Sequence, residues 1–307
     1  MAFNRDLAGK QGALTRRARI ITEIRSFFNE EGYLEVETPL RIPAPAPETH
    51  IDALPSLDWF LHTSPELCMK RLVAAGYGRI YQICHCWRAG ERGRLHLPEY
   101  TMLEWYRSAT DYLGLMEECE ELMGRVTAAL GHGDRIAFRG GEISLARPWE
   151  RVTVAEAFAR YTGYTPEEAL KQDLFDELMV EKIEPRLGLE RPTFIYDYPA
   201  SRGALARLKG SDPTLAERFE LYMGGVELAN AFSELTDPAE QRARFLAERE
   251  QRRSLGKTAY PMPEPFLAEL AHMPQAAGIA LGVDRLVMVL LDAASIDEVV
   301  AFTPEEL

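Results

Sequence analysis

Three groups of charged residues have the types and spacing for chemistry on a substrate that carries both phosphate and amine. In the run Glu99 to Tyr106, alternation puts Tyr100, Met102, Glu104 and Tyr106 on one face of a strand and Thr101, Leu103 and Trp105 on the other. A carboxylate beside aromatic hydroxyls suits an ammonium group; the plain alternative is an edge strand with a solvated face. Just upstream, Arg88 closes an apolar run and a polar loop adds Glu91, Arg92, Arg94 and His96. Guanidinium groups grip phosphate oxygens in forked geometry, so this loop suits a triphosphate, unless it is only a charged hairpin tip. The second group is Glu227, Asn230 and Glu234, whose carboxylates can share Mg²⁺ or face an amine. Strict alternation puts Glu227 and Glu234 on opposite faces, so both serve one site only if the strand bulges near Ala231. The third is Gly282-Val283-Asp284-Arg285, where backbone N–H groups and a cation meet at a helix start and favour an anion.

These residues need elements to hold them. Apolar positions from Leu14 through Ala18, Ile21, Ile24, Phe27 and Phe28 predict a helix ended by Glu31-Gly32, followed by a strand from Tyr33 to Thr38 that Pro39 stops. Ser64-Pro65-Glu66 reads as an N-cap with proline at the first helical position, and Gly76 closes that helix. Strands are expected over Ile80 to Arg88 and Glu99 to Tyr106, then a helix through Leu115 to Val126. The stretch Gly131 to Leu189 reads as helical with loops and carries no chemistry. A strand at Thr193 to Tyr198 precedes a hairpin turned at Gly224-Gly225. Asp237-Pro238 with Glu240 resembles a capping box that opens a helix to about Ser254, and Gly278 to Gly282 reads as a strand feeding a final helix. Hairpins interspersed with helices indicate an α+β domain.

The bulk properties narrow the setting. A chain of 307 residues with 46% hydrophobic residues has enough apolar material for a full core. No apolar run approaches membrane-spanning length and no signal peptide is evident, so a cytoplasmic protein is expected. A formal net charge of -13 argues against broad nucleic-acid binding. The four cysteines do not form a secreted disulfide framework. A metal on Cys84-His85-Cys86 is not expected, since alternation points His85 away from the two cysteines.

Taken together and in order, the pieces resemble the three motifs of the class II aminoacyl-tRNA synthetases, in the subgroup with the lysyl, aspartyl and asparaginyl enzymes. The likeness runs through Glu35-Val36-Glu37-Thr38-Pro39, Thr63-Ser64-Pro65-Glu66-Leu67, Trp87-Arg88 to Pro98-Glu99-Tyr100, Thr101 to Tyr106, Glu227 to Pro238 and Ala280-Leu281-Gly282-Val283-Asp284-Arg285, so it spans nearly the whole chain. It implies a class II synthetase catalytic fold, a mostly antiparallel sheet flanked by helices. The first helix is expected to begin almost at once, so residues 1–307 are expected to form one catalytic domain with no anticodon-binding domain. Among lysyl-type relatives the chain is most similar to the truncated paralogs that join (R)-β-lysine to a lysine side chain of translation elongation factor P.

By that resemblance the substrates are ATP with Mg²⁺ and a lysine-type amino acid, (R)-β-lysine or α-lysine. The acceptor would be elongation factor P rather than tRNA, and the first motif would build a homodimer; the competing readings are a minimal lysyl-tRNA synthetase and a non-catalytic, synthetase-like regulatory module. Arg88 and Arg285 would be catalytic, holding the α- and γ-phosphates, with Tyr100 on adenine and Gly90, Glu91, His96, Leu228 and Gly282 also at the nucleotide. Glu227 and Glu234 would hold metal. Ser64, Glu66, Glu104, Tyr106, Asn230, Glu234 and Ala280 would surround the amino acid. Three positions depart from the family pattern: Gly90 stands where a glutamate is usual, Leu97 where asparagine is, and Ala231 where glycine is, at roughly 1 kcal/mol if that site needs positive φ. Lysyl synthetases usually carry glycine at Ala280, and a methyl there is expected to shift the preferred amino acid.

Overall fold

The computed structural model describes residues 5–307, and the apolar periodicities become elements close to where they are expected. Helix α1 (Gln11–Glu30) buries Ile20, Ile24, Phe27 and Phe28 and ends where Gly32 takes φ +73°. The strand after it, β1 (Leu34–Glu35), is only two residues long, shorter than Tyr33 to Thr38 suggests. Before α2 (Glu66–Ala74), Ser64 Oγ accepts the Glu66 N–H at 3.0 Å, while Pro65 sits at the N-cap rather than inside the helix. β2 (Arg79–Trp87) and β3 (Glu99–Ser108) form an antiparallel pair, and α3 (Tyr112–Ala129) is capped by the Asp111 carboxylate.

The stretch expected to be helical contains strands. Arg135–Phe138 and Gly141–Ser144 form a hairpin turned at Arg139 and Gly140, both with positive φ, and its alternation buries Ile136, Phe138 and Ile143. β4 (Glu150–Thr153) then pairs in parallel with β5 (Thr193–Pro199) at the sheet edge. β6 (Asp212–Met223) and β7 (Val226–Ser233) meet at Gly224 (φ +62°) and Gly225 (φ +72°), the conformation a two-residue hairpin requires. In α4 (Pro238–Ser254) Asp237 caps the Ala239 and Glu240 N–H groups, but the Glu240 carboxylate turns to Arg244, so only half of the expected box forms. β8 (Ala276–Gly282) leads into α5 (Val283–Leu290).

Among the described residues these strands make one nine-stranded sheet in the order β1-β2-β3-β8-β7-β6-β5-β4, with Leu208–Lys209 added along β6. Pairing is antiparallel except at the two ends. One face carries the core: Leu103, Trp105, Phe219, Leu221, Ile279 and Leu281 pack with apolar residues of α1, α3 and α5. Burial of that face fixes the register, since a one-residue slip would turn every side chain over. The opposite face is therefore committed to Glu104, Asn230, Ala280 and their neighbours. No helix among the described residues is long and apolar enough to cross a membrane.

Candidate active site

Sheet register places the expected site residues side by side. Asn230 pairs with Ala280, and Ala280 with Glu104, so the three lie in one row across β7, β8 and β3. Glu220 extends the row on β6, opposite Asn230. The bulge needed to turn Glu227 to this face is present, though not near Ala231. Leu221 pairs with Ala229 and Tyr222 with Glu227, which leaves Leu228 as the extra residue. Ala231 is buried on the core side and has no positive φ, so its methyl costs no backbone strain.

A cavity of about 300 Å³ opens on this face. Its walls include Arg88, Glu91, His96, Tyr100, Glu227 and Arg285, together with Leu228, Asn230, Ala280 and Gly282. The Arg88 guanidinium lies 5.3 Å from the centre of the Tyr100 ring and 3.9 Å from the Glu91 carboxylate, and its buried Nε has no hydrogen-bond partner. That donor is open to a ligand oxygen. Tyr100 is anchored by its hydroxyl, which donates to the Thr63 carbonyl at 3.0 Å. Arg285 donates to the Glu227 carbonyl (2.9 Å) and carboxylate (3.1 Å), and to His96 Nε2 at 2.5 Å. Burial and the adjacent Arg285 cation hold the His96 pKa down, which keeps the ring neutral and able to accept that bond. Two expected residues take other roles. Gly90 is off the cavity wall and takes φ +79° in the turn after Arg88, while Leu97 is buried with the core and also reaches the wall.

Three charged cavity residues, Glu48, Arg218 and Glu220, are absent from the sequence reading. Arg218 and Glu220 stand on β6, across the hairpin from Asn230 and Phe232, and pair with each other at 2.5 Å. Arg218 also donates to Asn230 Oδ1 at 3.1 Å, and Tyr198 and Tyr222 donate to Glu220 at 2.8 Å each. Extending the hairpin alternation back from Gly224 through Tyr222 and Glu220 to Arg218 would have found both. Burial and then repulsion from Glu220 and Glu227 push the nearby Glu184 carboxyl up to about 7. Carboxylate oxygens are the donors a hard divalent cation prefers, but the oxygens of Glu184, Glu220 and Glu227 are not drawn together into one coordination sphere.

Beneath Ala280 lies a second, buried cluster. Ser64 Oγ donates to Glu104 Oε1 at 2.5 Å and the Tyr106 hydroxyl to Glu104 Oε2 at 3.0 Å. Burial, reinforced by Glu66, pushes the Glu104 pKa well above the usual carboxylate range. Lys70, unnoticed in the sequence although it stands four residues after Glu66 on α2, places Nζ 2.5 Å from both Glu66 and Glu234. Burial opposes its charge, yet the two carboxylates outweigh burial and hold it protonated. Glu234 is thus paired with Lys70 and is not on the cavity wall with Glu227, so the expected Glu227–Glu234 metal pair is not what the fold assembles. Glu220 does share the cavity wall with Glu227. Glu234 Oε1 is buried with no hydrogen-bond partner, an acceptor open to an ammonium group. Gly278 makes this packing possible: a Cβ there would overlap Tyr106 Cε1 and Glu234 Oε1.

Comparison with known proteins gives the same reading as the geometry. Residues 8–306 match the family described as tRNA synthetases class II (D, K and N). The chain is 41% identical to the elongation factor P--(R)-beta-lysine ligase of Proteus mirabilis, covering 94% of each protein, and 39% identical to that of Edwardsiella ictaluri, again over 94% of each. It is 38% identical to a lysine--tRNA ligase of Anaeromyxobacter, over 96% of this chain and 65% of that protein.

Proposed function

The chain belongs to the class II tRNA synthetases of the D, K and N group, and on that premise we propose that it activates (R)-β-lysine with ATP and transfers it to a lysine side chain of elongation factor P. The charge count beneath Ala280 carries the amino-acid assignment. The cluster holds Glu66, Glu104 and Glu234 against a single cation, Lys70, which pairs with Glu66 and Glu234, leaving two negative charges when all are ionised. A diamino acid brings two ammonium groups. Buried charge is costly unless paired, so the cluster favours a doubly cationic ligand and rejects one that lacks an ammonium.

In the proposed reaction the substrate carboxylate attacks the α-phosphorus of ATP, a P–O bond to pyrophosphate breaks, and an acyl-adenylate forms. Arg88, with its open Nε, is positioned to hold the reacting phosphate. Arg285, buttressed by Glu227 and His96, neutralises the departing phosphates from across the cavity. Asn230, in the row of Ala280, and Arg218, bonded to it from β6, would face the substrate carboxylate. Glu220 and Glu227 would hold Mg²⁺, which when bound supplies further charge neutralisation to the triphosphate. The acceptor amine then attacks the acyl carbon, AMP leaves and the amine loses a proton. Rate enhancement comes from placing the reactants and from fixed charge at the developing anion. The likeness of the first motif, α1 and β1, to that of the family favours a homodimer through this segment.

Pyrophosphate exchange into ATP tests the first half-reaction. Exchange that depends on (R)-β-lysine or α-lysine, and that fails with an analogue whose terminal ammonium is replaced by methyl, supports the reading. Exchange indifferent to that ammonium refutes it. The likeness to a lysine--tRNA ligase favours a second acceptor, lysine tRNA, and charging assays on that RNA decide between the two.

A further inference from the structure

Outside the reaction machinery, three metal-ligating side chains converge. Cys84 and Cys86 share one face of β2, and His85 between them points away as its spacing requires, with Nδ1 2.8 Å from Glu99. The third donor comes from elsewhere in the chain. His62, in the segment that precedes α2, brings Nε2 to 3.9 Å from Cys84 Sγ and 3.8 Å from Cys86 Sγ, and the two sulfurs are 3.9 Å apart. A point equidistant from the corners of such a triangle lies about 2.2 Å from each, within the range of zinc–sulfur and zinc–nitrogen bonds. His62 and Cys86 are buried and Cys84 is 9% exposed. We propose that His62, Cys84 and Cys86 bind a thiophilic d¹⁰ cation, Zn²⁺ or Cu⁺, beneath the amino-acid pocket.

The donor chemistry selects the ion class. Two thiolates and an imidazole are soft ligands that favour zinc or cuprous copper over the hard Mg²⁺ expected at Glu220 and Glu227. A further soft group, the Met102 thioether, belongs to the residue paired with Cys84 and packs in the same cluster. In the metal-free protein His62 Nε2 lies 2.8 Å from the His85 carbonyl oxygen and donates its proton there. On metal entry that nitrogen gives up its proton, the ring carries one on Nδ1 instead, and the two thiols release theirs to solvent. Binding is therefore weakened by acid.

The placement gives the ion a positioning role. His62 is two residues before Ser64, which donates to Glu104, and four before Glu66, which pairs with Lys70. On the other side Cys86 pairs with Tyr100 and Cys84 with Met102, both on the cavity wall. An ion joining His62 to β2 ties the segment that carries Ser64 and Glu66 to the sheet that carries Glu104. Loss of the ion then raises KM for the amino acid more than it lowers kcat.

The test uses the untagged full chain, purified from zinc-supplemented and from copper-supplemented cultures, with metal content measured by mass spectrometry. Stripped protein is then titrated with Zn²⁺ against a chromophoric chelator, and with Cu⁺ against bicinchoninate. We expect one equivalent of one of these ions per chain, with affinity lowered at least 100-fold in Cys86→Ser and in His62→Gln but unchanged in Cys68→Ser, a thiol outside the cluster. Tighter binding of Zn²⁺ or of Cu⁺ identifies the ion. Should either variant fail to fold, Co²⁺ added to the stripped wild type decides, since thiolate ligation gives an intense near-ultraviolet charge-transfer band. No one-to-one binding of either ion, binding that persists in Cys86→Ser, or no such band with Co²⁺ overturns the proposal.

Discussion

Replacing Glu104 by glutamine isolates the charge that the proposed amino-acid pocket depends on. The side chain keeps its shape and still offers one oxygen to Ser64, while the Tyr106 hydroxyl has only to turn and accept from the new amide. Folding should not suffer. Burial already pushes the Glu104 carboxyl toward its neutral form, which glutamine imitates, so the melting temperature should hold or rise. The bound state is different. A substrate ammonium facing Glu104 gains a charge-assisted hydrogen bond in a desolvated pocket, and loss of one partner from such a pair costs about 2–4 kcal/mol. At 1.36 kcal/mol per tenfold, this is roughly a 30- to 1000-fold fall in kcat/KM for (R)-β-lysine in pyrophosphate exchange. KM for ATP should stay within about twofold, because Glu104 does not line the cavity proposed for the nucleotide. A fall of less than threefold with unchanged melting would refute the argument that the buried carboxylates recognise the ammonium groups.

Other outcomes follow from the same cluster. Gly278→Ala puts a methyl into the buried Tyr106 ring and Glu234, so amino-acid KM should rise at least about tenfold in exchange assays, and chemical denaturation should show a loss of about 1–3 kcal/mol. Lys70→Met leaves Glu66 and Glu234 without their shared cation, and chemical denaturation at pH 8 should show a loss of about 3–5 kcal/mol. The Glu48 carboxyl, raised to about 7 by burial and then by Glu66, contributes stability that is complete below its unfolded value and is lost as pH rises through about 7. Glu48→Gln should therefore flatten the fall in melting temperature between pH 5 and pH 8. A substrate ammonium competes with the proton on Glu104, so KM for the amino acid should fall as pH rises, until the substrate amines themselves deprotonate.

The sequence made the frame legible where a short-range rule governs. Gly224-Gly225 could only be a tight hairpin, and period-two alternation over Glu99 to Tyr106 put Glu104 and Tyr106 on one face correctly. It was less informative where pairing decides. The bulge that turns Glu227 toward Asn230 lies at Leu228 rather than Ala231, because it is set by the register against Leu221 and Tyr222 on another strand. Arg218, Glu220 and Lys70 entered the site through β6 and α2, whose partners are distant in sequence, and their roles exist only once the sheet is assembled. The hairpin Arg135–Phe138 to Gly141–Ser144 lies in a stretch that reads as helical because its strands are four residues each, too short for alternation to declare itself. His62 was silent for a similar reason: nothing local links it to Cys84 and Cys86.

The central claim is tested most directly by the intact mass of purified elongation factor P after incubation with this protein, ATP, Mg²⁺ and (R)-β-lysine. The account predicts a gain of one β-lysyl group on a lysine side chain, dependent on ATP, abolished in Arg88→Ala and strongly reduced in Glu104→Gln. No gain on the factor while lysine tRNA is charged under the same conditions would contradict it.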